Sequence, residues 1–394
     1  MHAALRFIRY QFVVLLGLAL AACAGPTIDS LREPVPEPLI SRTELPGYGR
    51  IRYWGDDGDA LTSAALNEIA DQQRVDGNSS ATRNFLAVSG GSSNGAFGAG
   101  LLAGWTQAGT RPEFSVVTGV STGSLIAPFA FLGPSYDDRL TEAYTEISGE
   151  DVFRRRHVLR ILGSVSAADN TPLRNLVARY VTDEMVADIA RANSQGRRLL
   201  VGTTNLDAGR PVVWDIGAIA ASRVPGRKKL IQEILVASSS IPGVFPPVNI
   251  TVVADGRTFD EMHVDGGTSN QAFLFPSNFS VKMRDTRLQH QGVKRTLFLI
   301  RNGRAVPQYT MVNPRLSSIV GRSISTLIMS QGVGDLYRMY ANAQRDGILF
   351  KAIWVPESFT MKEPAPFDPN FMRALYKVGF EMGRGGIPWA MQPP

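Results

Sequence analysis

The sequence predicts an α/β protein: a mainly parallel central sheet covered by helices on both faces, three α/β/α layers in all. Three observations lead there. Short apolar, β-branched runs at 85–88, 115–118, 199–203, 212–215, 250–253 and 296–300 read as buried strands. Helical patterns lie between many of them, and strands interleaved with helices imply a sheet sandwiched by those helices. Two of the strands run directly into glycine-rich segments that open helices, an arrangement that leaves backbone N–H groups facing outward.

Taken in order, the elements begin with an export segment. His2, Arg6 and Arg9 make a charged start, residues 12–20 an apolar run, and Leu20-Ala21-Ala22-Cys23 a small-residue end. The run is too short for a spanning helix and reads as a signal peptide over 1–22. Leu20-Ala21-Ala22-Cys23 resembles the bacterial lipobox, which implies that Cys23 is lipidated and anchors the chain to a membrane. By the rule attached to that motif, Ala24 implies the outer membrane of the bacterial envelope. Several acyl chains anchor stably, whereas one binds only marginally. Pro26, Pro34, Pro36, Pro38 and Pro46 predict an extended tether over 23–49. In a lead-in over 50–83, Leu61, Ala65 and Ile69 recur at helical spacing.

The region 84–302 carries most of the strands. Thr171-Pro172 supplies a helix cap and first residue, with Leu173, Leu176, Val177 and Tyr180 on one face. Leu230, Ile231, Ile234 and Leu235 mark a helix over 228–237. Segments 249–254 and 258–264 flank Asp255-Gly256, a hairpin turn pair. Pro128 predicts that the helix after Gly123 is kinked or stops early. A mainly helical extension over 303–394 is expected to pack on this region, with Leu316, Ile319, Val320, Ile324, Leu327 and Ile328 as its apolar face. It also holds a strand within 348–355 and a last helix over 368–382. Nothing beyond Asn84 reads as a linker or a repeat.

Gly119-Val120-Ser121-Thr122-Gly123 is the strongest chemical signal. A serine at a sharp strand-to-helix turn is presented as a nucleophile, and Gly119 and Gly123 leave room for the turn. Its hydroxyl then lies at a helix N-terminus, where the dipole favours developing negative charge. Alone, the pattern also describes an ordinary turn. Upstream, Ser89-Gly90-Gly91-Ser92-Ser93-Asn94-Gly95 follows a strand. It shows neither dinucleotide-binding nor P-loop spacing, so phosphate cradling is disfavoured. The amides of Gly90, Gly91 and Ser92 fit an oxyanion hole, and equally a turn feeding a tightly packed helix. Downstream, His263-Val264-Asp265-Gly266-Gly267 places an aspartate at a strand end with open space around it; a plain turn aspartate also fits.

The three motifs together, in this order, resemble the patatin-like lipid acyl hydrolases over roughly Asn84 to Asn302. Thr203-Thr204-Asn205 and Ala237-Ser238-Ser239-Ser240-Ile241-Pro242-Gly243 match as well. The resemblance implies a patatin-like α/β/α fold and a Ser–Asp dyad. In that dyad Ser121 attacks the ester carbonyl and Asp265, positioned by Gly266 and Gly267, takes its proton. It further implies a phospholipid or other acyl lipid as substrate, and no cofactor or metal. Two positions depart from the family pattern: Ser92 stands where a third glycine is usual, and Asn94 where Arg or Lys is usual.

The chain has four histidines, His2, His157, His263 and His290. His157 lies in a basic run and reads as surface. His263 shares a strand face with Asp265, and is either a group that tunes the aspartate or orients a substrate, or a neighbour without a catalytic role. His290 is the one position able to complete a Ser…Asp…His order, the alternative mechanism. A second alternative is a non-catalytic envelope lipoprotein that keeps the fold; the intact Ser121, Asp265 and Gly90-Gly91 argue against it. Cys23 is the single cysteine, which excludes a disulfide within the chain and a cysteine metal site. Net charge is +6. The clusters Arg154-Arg155-Arg156, Arg197-Arg198 and Arg227-Lys228-Lys229 fit solvated surface or attraction to anionic headgroups. Nucleic acid is not expected as a partner, because no binding module or aromatic interleaving is present. Phe273, Leu274, Phe275 and Phe279 line an acyl-chain pocket or belong to the core.

Overall fold

The computed structural model describes residues 32–58, 82–155, 166–288 and 293–394. The expected signal peptide, Cys23, the helix through Leu61, Ala65 and Ile69, and His157 and His290 lie outside the described residues. The strands in chain order are β1 (Arg52–Trp54), β2 (Arg83–Val88), β3 (Val116–Val120), β4 (Arg154–Arg155), β5 (Ala168–Asp169) and β6 (Arg198–Asn205). They continue with β7 (Arg210–Asp215), β8 (Val248–Ala254), β9 (Arg257–Asp265), β10 (Arg295–Arg301) and β11 (Leu349–Trp354). The helices are α1 (Gly95–Gln107), α2 (Thr122–Leu132), α3 (Asp137–Thr145), α4 (Gly149–Val152), α5 (Thr171–Tyr180) and α6 (Asp183–Ser194). After them come α7 (Ile216–Ala221), α8 (Arg227–Ser238), α9 (Val281–Leu288), α10 (Leu316–Asp346) and α11 (Pro369–Gly385).

Five strands in the order β6–β3–β2–β10–β11 form a parallel core. β7 and β1 extend it antiparallel beyond β6. The hairpin β8–β9 turns at Asp255-Gly256, both at positive φ (49° and 76°), as a two-residue primed turn requires. Alternation along β2 shows how the layers arise. Leu86 and Val88 point into one core with Phe97 and Leu101 of α1. Phe85 and Ala87 point into the opposite core with Leu336 and Met339 of α10. The sheet is therefore covered on both faces, the expected three layers.

Four expectations change in detail. α5 starts at Thr171 itself, one residue earlier than expected, with Asn170 at the N-cap position but making no capping bond, while Asp169 Oδ1 accepts from the Thr171 N–H and hydroxyl (2.9 and 2.8 Å). α2 runs through Pro128 to Leu132, so of the two alternatives the early stop is excluded. Residues 32–49 are not a free tether. Val35 and Leu45 are buried, and Glu44 exchanges backbone hydrogen bonds with Val253 (2.9 and 2.8 Å), covering the exposed edge of β8. Finally, the extension divides in two. α11 packs closely on α1, where a Cβ at Gly383 would stand 2.6 Å from the Trp105 nitrogen and one at Gly379 2.9 Å from the Leu101 nitrogen. The Leu316–Ile328 face of α10, by contrast, is exposed.

Candidate active site

The site forms where two strands share one edge of β6. β3 pairs with β6 as far as Val120 opposite Gly202. There β3 turns sharply into α2, and β9 takes over the vacated edge with Asp265 opposite Thr203. Ser121 follows Val120 directly, so neighbouring residues of one strand place Ser121 and Asp265 side by side. The Ser121 hydroxyl is near enough to the Asp265 carboxyl to favour its charged form. Gly266 permits this approach, since a Cβ there would lie 2.8 Å from the Gly202 carbonyl carbon.

Ser121 occupies the turn at φ 54°, ψ −129°, a region that costs a non-glycine residue on the order of 1–3 kcal/mol. Surrounding bonds hold it there. Its N–H donates to Ser238 Oγ (3.0 Å), and Ser238 donates on to the Gly202 carbonyl (2.7 Å). Its own carbonyl accepts from the Ser124 hydroxyl (2.6 Å) and N–H (2.8 Å). Gly119 and Gly123 are required by close approach: added Cβ atoms would lie 2.7 Å from Ser124 Cα and 2.6 Å from the Ser89 carbonyl oxygen. Ser121 also opens α2, at the positive end of its dipole.

Asp265 is buried, and burial pushes its carboxyl up to about 7. The nearby Ser121 hydroxyl and the hydrogen bond from the Gly267 N–H (2.7 Å) favour the charged form and oppose that rise without cancelling it. A carboxyl of ordinary strength is thereby brought to change its charge near neutral pH.

The glycine-rich loop runs beside Ser121. Gly90 does not offer the free amide expected of it, because its N–H donates to the Gln271 carbonyl (2.9 Å). It serves instead by being small: a Cβ would sit 3.2 Å from Ser121 Cβ. The amides of Gly91 and Ser92 make no hydrogen bond with the described residues. Ser92 stands at φ 54°, so the family's usual glycine is replaced by a residue that adopts the same left-handed region under strain. Gly91 packs on Asn302, whose Cβ would be 2.6 Å from an added Cβ.

Residues without an assigned role in the sequence hold this loop. Asn302 donates from Nδ2 to the Ser89 carbonyl and from its N–H to Ser89 Oγ (2.9 Å each), and accepts from the Gly98 N–H (3.1 Å). Its place just past the C-terminal end of a parallel strand is the one sequence signal for it. Gln271 joins both halves of the site, accepting from Gly90 and donating Nε2 to the Gly267 carbonyl (2.9 Å). Asp335 of α10 accepts from the N–H groups of Gln271 and Ala272 (2.6 and 3.1 Å). No local pattern marks a residue so distant in sequence.

His263 does not join the pair. Its Nε2 faces Glu261 (3.0 Å) and its Nδ1 faces Thr203 Oγ1 (2.9 Å), which accepts from Trp214 Nε1 (2.8 Å). Arg52 pairs with Glu261 from the other side. Burial lowers the imidazole pKa, while the Glu261 bond raises it. The network is a closed polar cluster in the core, the no-role alternative for this histidine.

A solvent-open, apolar cavity reaches Ser121 and Ser92. Leu125 and Phe129 of α2, Leu173 and Val177 of α5, Met185 of α6 and Phe245 line it. The aromatic run after Asp265 does not: Leu274, Phe275 and Phe279 pack in the core under α10, and Phe273 in a separate cluster with Val120. No group of three or more His, Cys, Asp or Glu placed to hold a metal occurs among the described residues.

Residues 86–275 match the patatin-like phospholipase family. No curated protein matches the chain in sequence. Among solved structures, VipD from Legionella pneumophila is similar at 11% identity and TM-score 0.42, over 77% of this chain and 66% of that one. Human GIVD cytosolic phospholipase A2 is similar at 8% identity and TM-score 0.29, over 81% of this chain and 53% of that one. The chain thus spans just under two thirds of the first and about half of the second. The matched segment, which contains the Ser121 turn, the glycine-rich loop and Asp265, is similar to the patatin-like phospholipase family.

Proposed function

We propose that the protein hydrolyses carboxylic esters of membrane lipids through Ser121 and Asp265. The observation that carries this is a strained serine beside a buried aspartate of raised pKa, at an apolar cavity. In the proposed reaction Ser121 Oγ attacks the ester carbonyl carbon while Asp265 takes the hydroxyl proton. The tetrahedral oxyanion faces the free N–H groups of Gly91 and Ser92 and the N-terminus of α2. Collapse expels the alcohol, which receives the proton from Asp265. Water, deprotonated by Asp265, then attacks the acyl-serine carbonyl; the acyl–Oγ bond breaks, Ser121 Oγ takes the proton back from Asp265, and a fatty acid is released. The acyl chain lies in the cavity between α2, α5 and α6, whose lining supplies apolar contact.

Ser121→Ala tests the reading, because it removes one oxygen and leaves the backbone bonds that hold the turn in place. The variant is expected to lose labelling by a fluorophosphonate probe and hydrolysis of both a soluble ester and phospholipid. Retained turnover would refute the reaction. We further propose that lipidated Cys23 anchors the enzyme to the bacterial envelope, at the outer membrane; the lipobox-like Leu20-Ala21-Ala22-Cys23 supports this.

A further inference from the structure

We propose that the N-terminal half of α10, with the loop before it, seats on an anionic lipid bilayer. α10 has two unlike halves. From Asp335 onward it is built into the core, with Leu336, Met339 and Ala343 buried. Before that, Leu316, Ile319, Val320, Ile324, Leu327 and Ile328 recur at helical spacing and form one stripe. All six are exposed, Leu316 at 79% and Leu327 at 69%. The preceding loop adds Tyr309 and Met311, exposed at 92% and 81%. Single exposed apolar residues need no explanation, whereas a continuous stripe of them marks an interaction surface.

Charge selects the occupant. From 286 to 334 the chain contains no Asp or Glu, and Arg315 and Arg322 lie within the exposed segment. Arg304, Arg315 and Arg322 form no ion pair with a described residue. Arg322 donates instead to the Gln308 carbonyl (2.7 Å), which fastens the Tyr309 loop beside the helix. A second copy on this face would bring arginines together with no carboxylate between them. Anionic headgroups supply the missing charge while the acyl region takes the stripe. No described helix is long and apolar enough to cross a membrane; the seat proposed is in the plane of the surface, with Ser318, Arg322 and Ser325 on the polar flank.

The position is also informative. Asp335 holds Gln271, which touches Gly90 and Gly267. Ile328 is seven residues earlier, about 10 Å along the helix axis. A bilayer on the stripe therefore meets the protein close to the site. That functional placement rests on the proposed lipid hydrolysis, but the binding itself does not.

The test uses the full chain with Cys23→Ser and Leu327→Cys, giving one thiol for an environment-sensitive fluorophore. Vesicles of ether-linked phosphatidylglycerol or phosphatidylcholine contain no cleavable ester, so the readout is independent of turnover. The expected result is a blue shift with the phosphatidylglycerol vesicles only, reversed by salt. Val320→Asp with Ile324→Asp, placed on the exposed stripe, is expected to lower vesicle partition at least tenfold and leave soluble-ester hydrolysis unchanged. No shift with either vesicle, or equal shifts with both, would overturn the proposal. So would a blue emission without lipid: one that grows with protein concentration shows a second copy on the stripe, and one that does not shows the chain's own segment there. Failure of soluble-ester hydrolysis in the parent protein would count against the enzymatic reading and leave the binding result standing.

Discussion

At the residue scale, Asp265 carries the sharpest expectation. Burial raises its folded pKa from the ordinary 3.8 to about 7. In the proposed reaction it must be ionised to take the serine proton, so kcat/KM for a soluble ester is expected to rise with pH through a midpoint near 7. A profile flat from pH 5 to 9 would contradict the assignment. Asp265→Asn is expected to lower turnover by at least about 100-fold, since an amide does not accept the serine proton. Stability moves the opposite way. The folded state keeps its proton to about pH 7 and the unfolded state loses it near 3.8, so the stability Asp265 contributes is complete below 3.8 and lost as pH rises through 7. Asp265→Asn does not titrate. Its melting temperature is therefore expected to exceed that of the wild type at pH 8, and the excess to shrink at pH 4.

Ser92 gives a second residue-scale expectation. Left-handed backbone costs a non-glycine residue about 1–2 kcal/mol, and glycine's looser unfolded chain returns about 0.5–1 kcal/mol of that. Ser92→Gly, restoring the family's usual residue, is expected to stabilise by up to about 1 kcal/mol in denaturant unfolding. A clear loss of stability would mean that the serine hydroxyl compensates its strain.

At the element scale, α10 and α11 bind the C-terminal extension to the site. Asp335 is a positioning residue, because it acts through Gln271 on the strands bearing Ser121 and Asp265. Asp335→Ala leaves two buried N–H groups unpartnered, at about 1–3 kcal/mol each. It is expected to lower kcat more than it raises KM, with partial rescue by Asp335→Asn. Equal activity in all three proteins would remove the assignment. The α1–α11 contact is a backbone approach, with Gly383 facing Trp105. Gly383→Leu is expected to destabilise by at least about 2 kcal/mol, through overpacking against main chain that has no rotamer to yield. Calorimetry of the variant checks this.

At the scale of the whole molecule, sequence patterns and long-range packing divided the work unevenly. The parallel strands were legible because buried strands in an α/β sheet are apolar throughout, and the hairpin because Asp255-Gly256 is a turn pair. Ser121, Asp265 and the glycine loop were legible because a strained turn or close approach admits few residue types, and those types cluster in short motifs. The role of Gly90 was not: whether its amide is free depends on Gln271, 181 positions away. The aromatic run after Asp265 read equally as core or pocket, since apolar residues serve both and only the face of the sheet distinguishes them. Residues 32–49 read as a tether because prolines favour extended chain, which is also what covers a sheet edge. The stripe on α10 read as a packing face because amphipathic spacing reports that a surface is apolar, not what covers it. By itself, then, the sequence determined the fold class and the chemical groups, because local backbone geometry and apolar periodicity are written in adjacent residues. The tertiary structure alone decided which amides are free, which apolar face lines the cavity and which meets solvent. Those depend on partners that the chain brings together only when folded.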